Sequence, residues 1–140
     1  MKKICIERKI DDDLSTWINL KHYESEIEDL VDKDLIIIKG KSSITIKFDY
    51  PLKNSVIINF PINEEGLKKA DLIRIIGKQY DLFYQEENET SDIIEGPHDI
   101  QEYNRNSTNG KWGIWGHFQY QLDLSCIYET NDYYILSIDS

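Results

Sequence analysis

The 140-residue sequence is poor in the residues that cross-link a chain or break it into segments. It has two cysteines, Cys5 and Cys126, and neither stands in a spacing typical of a metal site or a disulfide framework. We therefore expect two buried free thiols. With three prolines, seven glycines and no internal repeat, the chain contains no clear linker, and its length predicts a single domain over residues 1–140.

Long uncharged apolar runs are also missing. No stretch approaches the length that spans a bilayer, so the sequence predicts no membrane-spanning segment. The amino terminus begins with two lysines, but Glu7, Arg8 and Lys9 interrupt the apolar run that an export signal requires. We therefore expect a cytoplasmic protein.

Positive charge is scarce in this chain. Sixteen lysines and arginines stand against 26 aspartates and glutamates, which gives a formal net charge of −10. Such a charge repels phosphate backbones and anionic lipids, so we expect binding neither to nucleic-acid duplexes nor to membranes. It suits a basic protein partner, although an ordinary solvated acidic surface explains it equally well.

The apolar pattern predicts an α+β fold with a mostly antiparallel sheet packed against one long helix. Runs rich in β-branched and aromatic residues predict strands at residues 4–10, 35–39, 43–48, 56–60, 122–128 and 133–138. A glycine between the second and third of these runs predicts one hairpin, and the last two runs predict another. Residues 11–34 are expected to hold either two short helices, the first beginning at Leu14 with Asp13 as its cap, or a loop followed by one helix near residues 24–32.

The long helix is predicted over residues 64–87. Asn63 supplies the expected cap, and two glutamates follow it in an acidic first turn. Lys69, Lys78 and Gln85 are expected on solvent-exposed faces. The apolar residues recur at three- and four-residue spacing and predict one buried face, formed by Leu72, Ile73, Ile76, Tyr80, Phe83 and Tyr84.

Residues 103–122 contain no aspartate or glutamate, although the whole chain has 26. Glycines in this stretch let a backbone approach a ligand, and tryptophan faces stack on flat rings. Arg105 and Lys111 are able to pair with phosphate or carboxylate oxygens. We therefore predict a site for a small anionic, ring-bearing, nucleotide-like ligand. Its residues are Arg105, Thr108, Lys111, Trp112, Trp115 and His117, with Tyr80 and Tyr84 from the helix.

A structural explanation of the same residues stays open. In that interpretation Trp112 and Trp115 pack in the core, and Asn109-Gly110 forms a tight turn. His117 has an unperturbed pKa near neutrality and so suits acid–base chemistry, but no nucleophile or paired carboxylate stands at a recognisable spacing from it. A structural histidine is the simpler interpretation.

The same block resembles a small domain family that has no established activity. The family pattern is Asn-Arg-x-x-Thr-x-Gly-x-Tyr-Gly-Ile-Trp-Gly-His after a long helix, and residues 104–117 are similar to it. This sequence differs at Trp112, where the family has tyrosine, and after His117, where residues 118–120 replace an acidic continuation. The resemblance covers about the carboxyl-terminal half and implies a shared fold and a shared site, without a catalytic assignment.

Three functions follow from these observations. The leading hypothesis is a non-catalytic module that binds or sequesters the small anionic ligand. The second is an acidic inhibitor or immunity-type protein whose surfaces at residues 24–34 and 86–99 bind a basic partner. The third is a hydrolase or transferase that uses His117 with Arg105. The sequence contains no metal-ligand spacing and no nucleophile motif, so we predict neither a metal nor a cofactor. Nothing in the sequence determines the oligomeric state.

Overall fold

The computed structural model describes residues 2–96 and 104–140, and they form an α+β fold. The amino-terminal strands are β1 (Lys3–Cys5), β2 (Arg8–Ile10), β3 (Asp13–Ser15), β4 (Ile18–Asn19) and β5 (Ile36–Ile38). The remaining strands are β6 (Ser43–Phe48), β7 (Val56–Pro61), β8 (Leu67–Lys68), β9 (Asp123–Glu129) and β10 (Tyr134–Asp139). The helices are α1 (Tyr23–Glu26) and α2 (Lys69–Thr90), with 3-10 turns at Ile27–Asp29 and Gln119–Gln121.

The main sheet has the strand order β1-β9-β10-β6-β7, and β4 also pairs with β9. Its described pairs are antiparallel, except that β10 runs parallel to β6. The predicted hairpin of β9 and β10 is confirmed. Two smaller ladders join β2 to β3 and β5 to β8.

The predicted hairpin between residues 35–39 and 43–48 is wrong. Strand β5 pairs with β8, just before the long helix, while β6 pairs with β7. Gly40 lies between the two runs with φ 78°, and its N–H donates to the carbonyl of Glu64. This backbone geometry, which favours glycine, turns the chain away from β5 instead of folding it back.

Helix α2 begins five residues later than predicted and ends at Thr90. The Asn63 side chain accepts the N–H of Glu65, so it closes a turn instead of capping the helix. Strand β8 follows this turn, and α2 starts after Lys68 without a side-chain cap.

The predicted apolar face of α2 is confirmed, because its six residues are all buried. Phe83 packs edge-to-face on Phe48 of β6, with ring centroids 5.2 Å apart. Lys78 and Gln85 are exposed as predicted. The expectation for Lys69 is wrong: it is only 8% exposed, since its N–H bonds to Leu35 and its ammonium lies 3.5 Å from the carbonyl of Val31.

The region of residues 11–34 holds one short α-helix. Asp13 and Leu14 belong to strand β3, so the alternative with a helix that begins at Leu14 and is capped by Asp13 is wrong. Leu14 is 67% exposed and therefore lacks the burial that its helical spacing implied. In place of that helix, Tyr23 of α1 packs against α2 and donates its hydroxyl to Asp81, 2.8 Å away.

Both cysteines differ from expectation in their burial. Cys5 of β1 is exposed and Cys126 of β9 is half-exposed, because both point away from the helix-covered face of the sheet. No disulfide joins them in this structure.

Truncation of Ile76 tests the packing of α2 on the sheet. Ile76→Ala is expected to lower the free energy of unfolding by about 2–5 kcal/mol, because it removes buried surface and leaves a cavity. Urea unfolding measures the change. The matched control is Lys78→Ala on the exposed face, expected within about 0.5 kcal/mol of wild type; equal effects of the two variants would contradict the assignment of the buried face.

Candidate functional site

The loop of residues 104–117 is organised around the side chain of Glu87, near the end of α2. Glu87 is completely buried. Its Oε2 accepts the Thr108 hydroxyl at 2.6 Å and the N–H groups of Gly110 at 2.8 Å and Ile114 at 3.2 Å. Its Oε1 accepts the N–H groups of Trp112 at 2.8 Å and Gly113 at 3.0 Å. One carboxylate thus satisfies five donors of the loop.

The Glu87 carboxylate and the donors of the loop each need the other in order to be hydrogen-bonded while buried. An unpaired buried carboxylate costs several kcal/mol, and so do buried N–H groups without acceptors. Burial raises the pKa of Glu87, but the Thr108 hydroxyl and the backbone N–H groups outweigh it, so the net pKa lies below its usual value. The backbone must also come very close: a Cβ on Gly110 would lie 2.6 Å from the Thr90 hydroxyl oxygen and 2.7 Å from Glu87 Oε1.

Arg105 is buried in the same loop, and the whole residue is 2% exposed. Its Nε donates to Glu95 at 3.2 Å, and its Nη2 donates to the Thr108 hydroxyl at 3.2 Å. Its Nη1 donates to the carbonyls of Asn106 at 3.0 Å and Ile114 at 2.9 Å. The guanidinium also lies 5.3 Å from the centroid of the Tyr84 ring. Arg105 therefore directs its donors to the protein itself.

Lys111 is exposed on this loop, whereas Trp112 is partly buried against the core. The Trp112 ring packs edge-to-face on Phe83, with centroids 4.9 Å apart, in keeping with the structural interpretation. The Lys111 ammonium is 5.0 Å from the Trp112 ring and 2.9 Å from a carboxylate oxygen of Glu86. Both side chains thus tie the loop to α2.

Trp115 and His117 belong to a separate aromatic cluster with Tyr50. The Trp115 ring is 5.2 Å from each of the other two rings, and Trp115 is 44% exposed. The Tyr50 hydroxyl lies 3.0 Å from His117 Nε2 and also contacts the hydroxyl of Ser140. Partial burial, followed by the charge of Arg105, lowers the pKa of His117 below its usual value.

Tyr80 and Tyr84 are buried anchors of the helix. The Tyr80 hydroxyl donates to the carbonyl of Tyr50 at 2.6 Å, and the Tyr84 hydroxyl donates to the carbonyl of His117 at 2.7 Å. Burial raises the pKa of both phenols, so they stay protonated. The eight predicted site residues are therefore neighbours along one loop and one helix end, but they point in several directions.

A cleft of about 520 Å³ lies beside α2, and sequence reasoning missed it. It opens between α1, the second half of α2 and the 3-10 turn at Gln119–Gln121. Of the eight predicted residues, only Tyr84 lines it. The lining residues are Lys21, Tyr23, Glu24, Asp81, Tyr84, Gln85, Asn88, Glu95, Gln119 and Tyr120.

Three carboxylates face this cleft against one lysine. Asp81 is held in place because it accepts the Tyr23 hydroxyl at 2.8 Å and the Gln119 amide. Glu24 lies on the rim with its side chain 59% exposed, 3.5 Å from Arg74. Glu95 lies at the far end, where it pairs with Arg105.

One sequence signal for the cleft was present. Asp81, Tyr84, Gln85 and Asn88 recur at helical spacing and form a polar stripe beside the buried face of α2. The predicted acidic surfaces at residues 24–34 and 86–99 each contribute a carboxylate, Glu24 and Glu95. Residues 97–99 of the second surface lie outside the described residues.

Comparisons of the chain with protein-family models, with curated proteins and with solved structures find no match. The family resemblance of residues 104–117 therefore stays a prediction. What the fold itself defines is an α+β domain with one long helix packed on a mixed sheet and a loop anchored to a buried carboxylate of that helix.

Neither a metal-ligand cluster nor a membrane-spanning helix is found among the described residues. Across residues 2–96 and 104–140, no group of three or more histidine, cysteine, aspartate or glutamate side chains is placed to hold a metal ion. No helix in this part of the chain has the length and apolar character needed to cross a membrane.

Replacement of Glu87 tests the anchor of the loop. Glu87→Gln keeps the size of the side chain but turns an NH2 group toward backbone donors, so we expect a loss of about 2–4 kcal/mol in unfolding free energy at neutral pH. The depressed pKa of Glu87 means that its stabilisation is present above the unfolded-state pKa of about 4.3 and is lost as the pH falls through the folded-state pKa.

Unfolding in urea from pH 7 down to about pH 3 measures this dependence. The stability gap between wild type and Glu87→Gln is expected to shrink with acidification, whereas the exposed control Glu89→Gln remains close to wild type throughout. A gap that is constant over the whole range would refute an ionised anchor.

Replacement of Arg105 tests its structural role. Arg105→Lys is expected to cost about 2–3 kcal/mol, because an ammonium cannot reach Glu95, Thr108 and the Ile114 carbonyl together. The same substitution at the partly exposed Arg74 is the control, with an expected cost of at most about 0.5 kcal/mol. Thermal and urea unfolding measure both, and a cost near zero at Arg105 would show that its buried contacts contribute nothing.

Proposed function

We propose that this protein is a non-catalytic binding module whose cleft between α1 and α2 receives a basic side chain of a protein partner. The observation that carries the proposal is the lining of the 520 Å³ cleft by Glu24 and Asp81, with Glu95, which is paired with Arg105, at its far end. This is the acidic protein-interaction hypothesis of the sequence, now attached to a definite surface.

The chemistry of the lining favours a cationic group. Carboxylates attract guanidinium and ammonium groups, and the partly exposed ring of Tyr120 lines the same cleft, where cation–π contact is available. Arginine suits the cleft better than lysine, since its planar fork pairs with carboxylates and stacks on aromatic rings. The net charge of −10 would also steer a basic partner toward the protein.

The anionic-ligand hypothesis has less support. It relied on Arg105 and Lys111, and their cationic groups pair with Glu95 and Glu86. The cleft has a negative lining, which opposes a phosphate or carboxylate ligand. Catalysis by His117 is likewise less favoured, because its neighbours are Tyr50 and Trp115, and the described cleft does not include it.

Charge reversal on the cleft rim tests the proposal. The probes are two basic peptides of equal length, one of arginines and one of lysines, with an acidic peptide as the negative control. Glu24→Lys is expected to weaken binding of the arginine peptide by about 1 kcal/mol or more, roughly fivefold, in calorimetric titration. Wild type is expected to bind the arginine peptide more tightly than the lysine peptide.

The matched control is Glu65→Lys, which changes the net charge equally on an exposed turn before β8. It is expected to change binding less than twofold at about 150 mM salt, because charges beyond a Debye length of about 8 Å are screened. Equal weakening by both variants would assign the binding to overall charge and would contradict a role for the cleft. Asn88→Lys, on the cleft wall, provides a second variant that leaves the Glu24–Arg74 pair intact.

A further inference from the structure

Cys5 and Cys126 stand directly opposite each other on two neighbouring strands. Strand β1 runs antiparallel to β9, with Cys5 in register with Cys126. The N–H of Ile6 donates to the carbonyl of Ser125, and the N–H of Glu129 donates to the carbonyl of Lys2. Since hydrogen-bonded pairs alternate with non-hydrogen-bonded pairs in such a ladder, the cysteines form a non-hydrogen-bonded pair.

This type of pair has the geometry that a disulfide needs. Opposite residues in a non-hydrogen-bonded pair have Cα atoms about 4.5 Å apart, and their side chains are closer than those of a hydrogen-bonded pair. This Cα–Cα distance lies within the range found for disulfides, about 4.4–6.8 Å. The two sulfur atoms are already in contact, 2.6 Å apart as free thiols. The register and the sulfur separation therefore place the two thiols in position to be joined.

Both thiols are open to reagents from solvent. They lie on the face of the sheet opposite α2, where Cys5 is exposed and Cys126 is half-exposed. Lys3 and Tyr128 form the next pair on that face, and the Lys3 ammonium lies 5.4 Å from the Tyr128 ring. The hydrogen bond with Cys126 raises the pKa of the Cys5 thiol, so exchange is best measured at mildly alkaline pH, where thiolate forms.

We propose that Cys5 and Cys126 are a reversible oxidation site, at which a low-molecular-weight disulfide converts the thiol pair into a cross-strand disulfide. One protein thiolate attacks a sulfur of the small disulfide, forms a mixed disulfide and releases one small thiol. The second protein thiolate then attacks the protein sulfur of the mixed disulfide and releases the other small thiol. Two protein thiols are oxidised, and one small disulfide is reduced to two thiols.

The bond would fasten an edge strand to an interior one. Strand β1 has three residues and, among the strands of the described residues, pairs only with β9. The cysteines are 121 positions apart, so the bond closes most of the chain into a loop. Cross-links that close long loops restrict the unfolded ensemble the most. Oxidation would therefore raise the stability of the whole domain and suppress local opening of β1.

Titration of the full chain with mixtures of reduced and oxidised glutathione at about pH 8 tests the proposal. Wild type is expected to go from two alkylatable thiols to none, as a monomer with a mass loss of about 2 Da for the two hydrogens. Its melting temperature is expected to rise by roughly 5–15 °C on oxidation and to return with dithiothreitol. Cys5→Ser and Cys126→Ser are each expected to stop at a mixed disulfide with one glutathione.

A register-shifted variant separates pairing geometry from mere proximity. The double variant Cys126→Ser/Tyr128→Cys keeps two thiols on the same sheet face but places them diagonally, where Cα atoms are about 7–8 Å apart. Its equilibrium constant for disulfide formation is expected to be at least about tenfold lower. Melting curves of the reduced proteins check that all variants fold. The proposal is overturned if wild type keeps both thiols, carries two glutathiones or cross-links between chains, or if the shifted variant oxidises as readily.

Discussion

The ionised carboxylate of Glu87 is the constraint on which the carboxyl-terminal half of the fold depends. It is completely buried and accepts five hydrogen bonds from residues 108–114. A buried charge is tolerated only when it is fully hydrogen-bonded, and four of these five donors are backbone N–H groups of the loop. Thr108 extends the network, since its hydroxyl donates to Glu87 and accepts from Arg105, which in turn pairs with Glu95. The end of α2 and the loop therefore form one unit.

This anchor also explains why residues 103–122 resemble a ligand site. Inward-pointing N–H groups, glycines and an arginine are what an anion-binding loop requires, and the internal carboxylate of Glu87 requires the same set. The absence of acidic residues from the stretch is consistent with that requirement, because a second carboxylate would repel the first. The loop has the donors that bind an anion, and the anion that they bind is the Glu87 carboxylate of the same molecule.

The surfaces that remain for other molecules arise where distant segments meet. The acidic cleft combines α1, α2 and the turn at Gln119–Gln121, and the thiol pair combines the first and ninth strands. The cleft is the proposed binding site, and oxidation of the thiol pair is proposed to raise the stability of the domain. Each is accessible from solvent. The cleft meets the Glu87 network at Glu95, which pairs with Arg105, whereas the thiol pair lies on other strands.

Local patterns were sufficient to predict the α+β class, the buried face of α2 and the hairpin of β9 and β10, because periodicity and turn chemistry act within a few residues. They could not predict that Asn63 closes a turn, that β5 pairs with β8 or that Lys69 is buried, since each depends on a competing contact elsewhere in the chain. The same holds for Glu87, which looks like any other surface glutamate until residues 108–114 fold over it. The cysteines, 121 positions apart, become partners only through the register of β1 on β9. The sequence by itself determines short-range periodicity. The packing of the elements decides which distant donors, acceptors and thiols become partners.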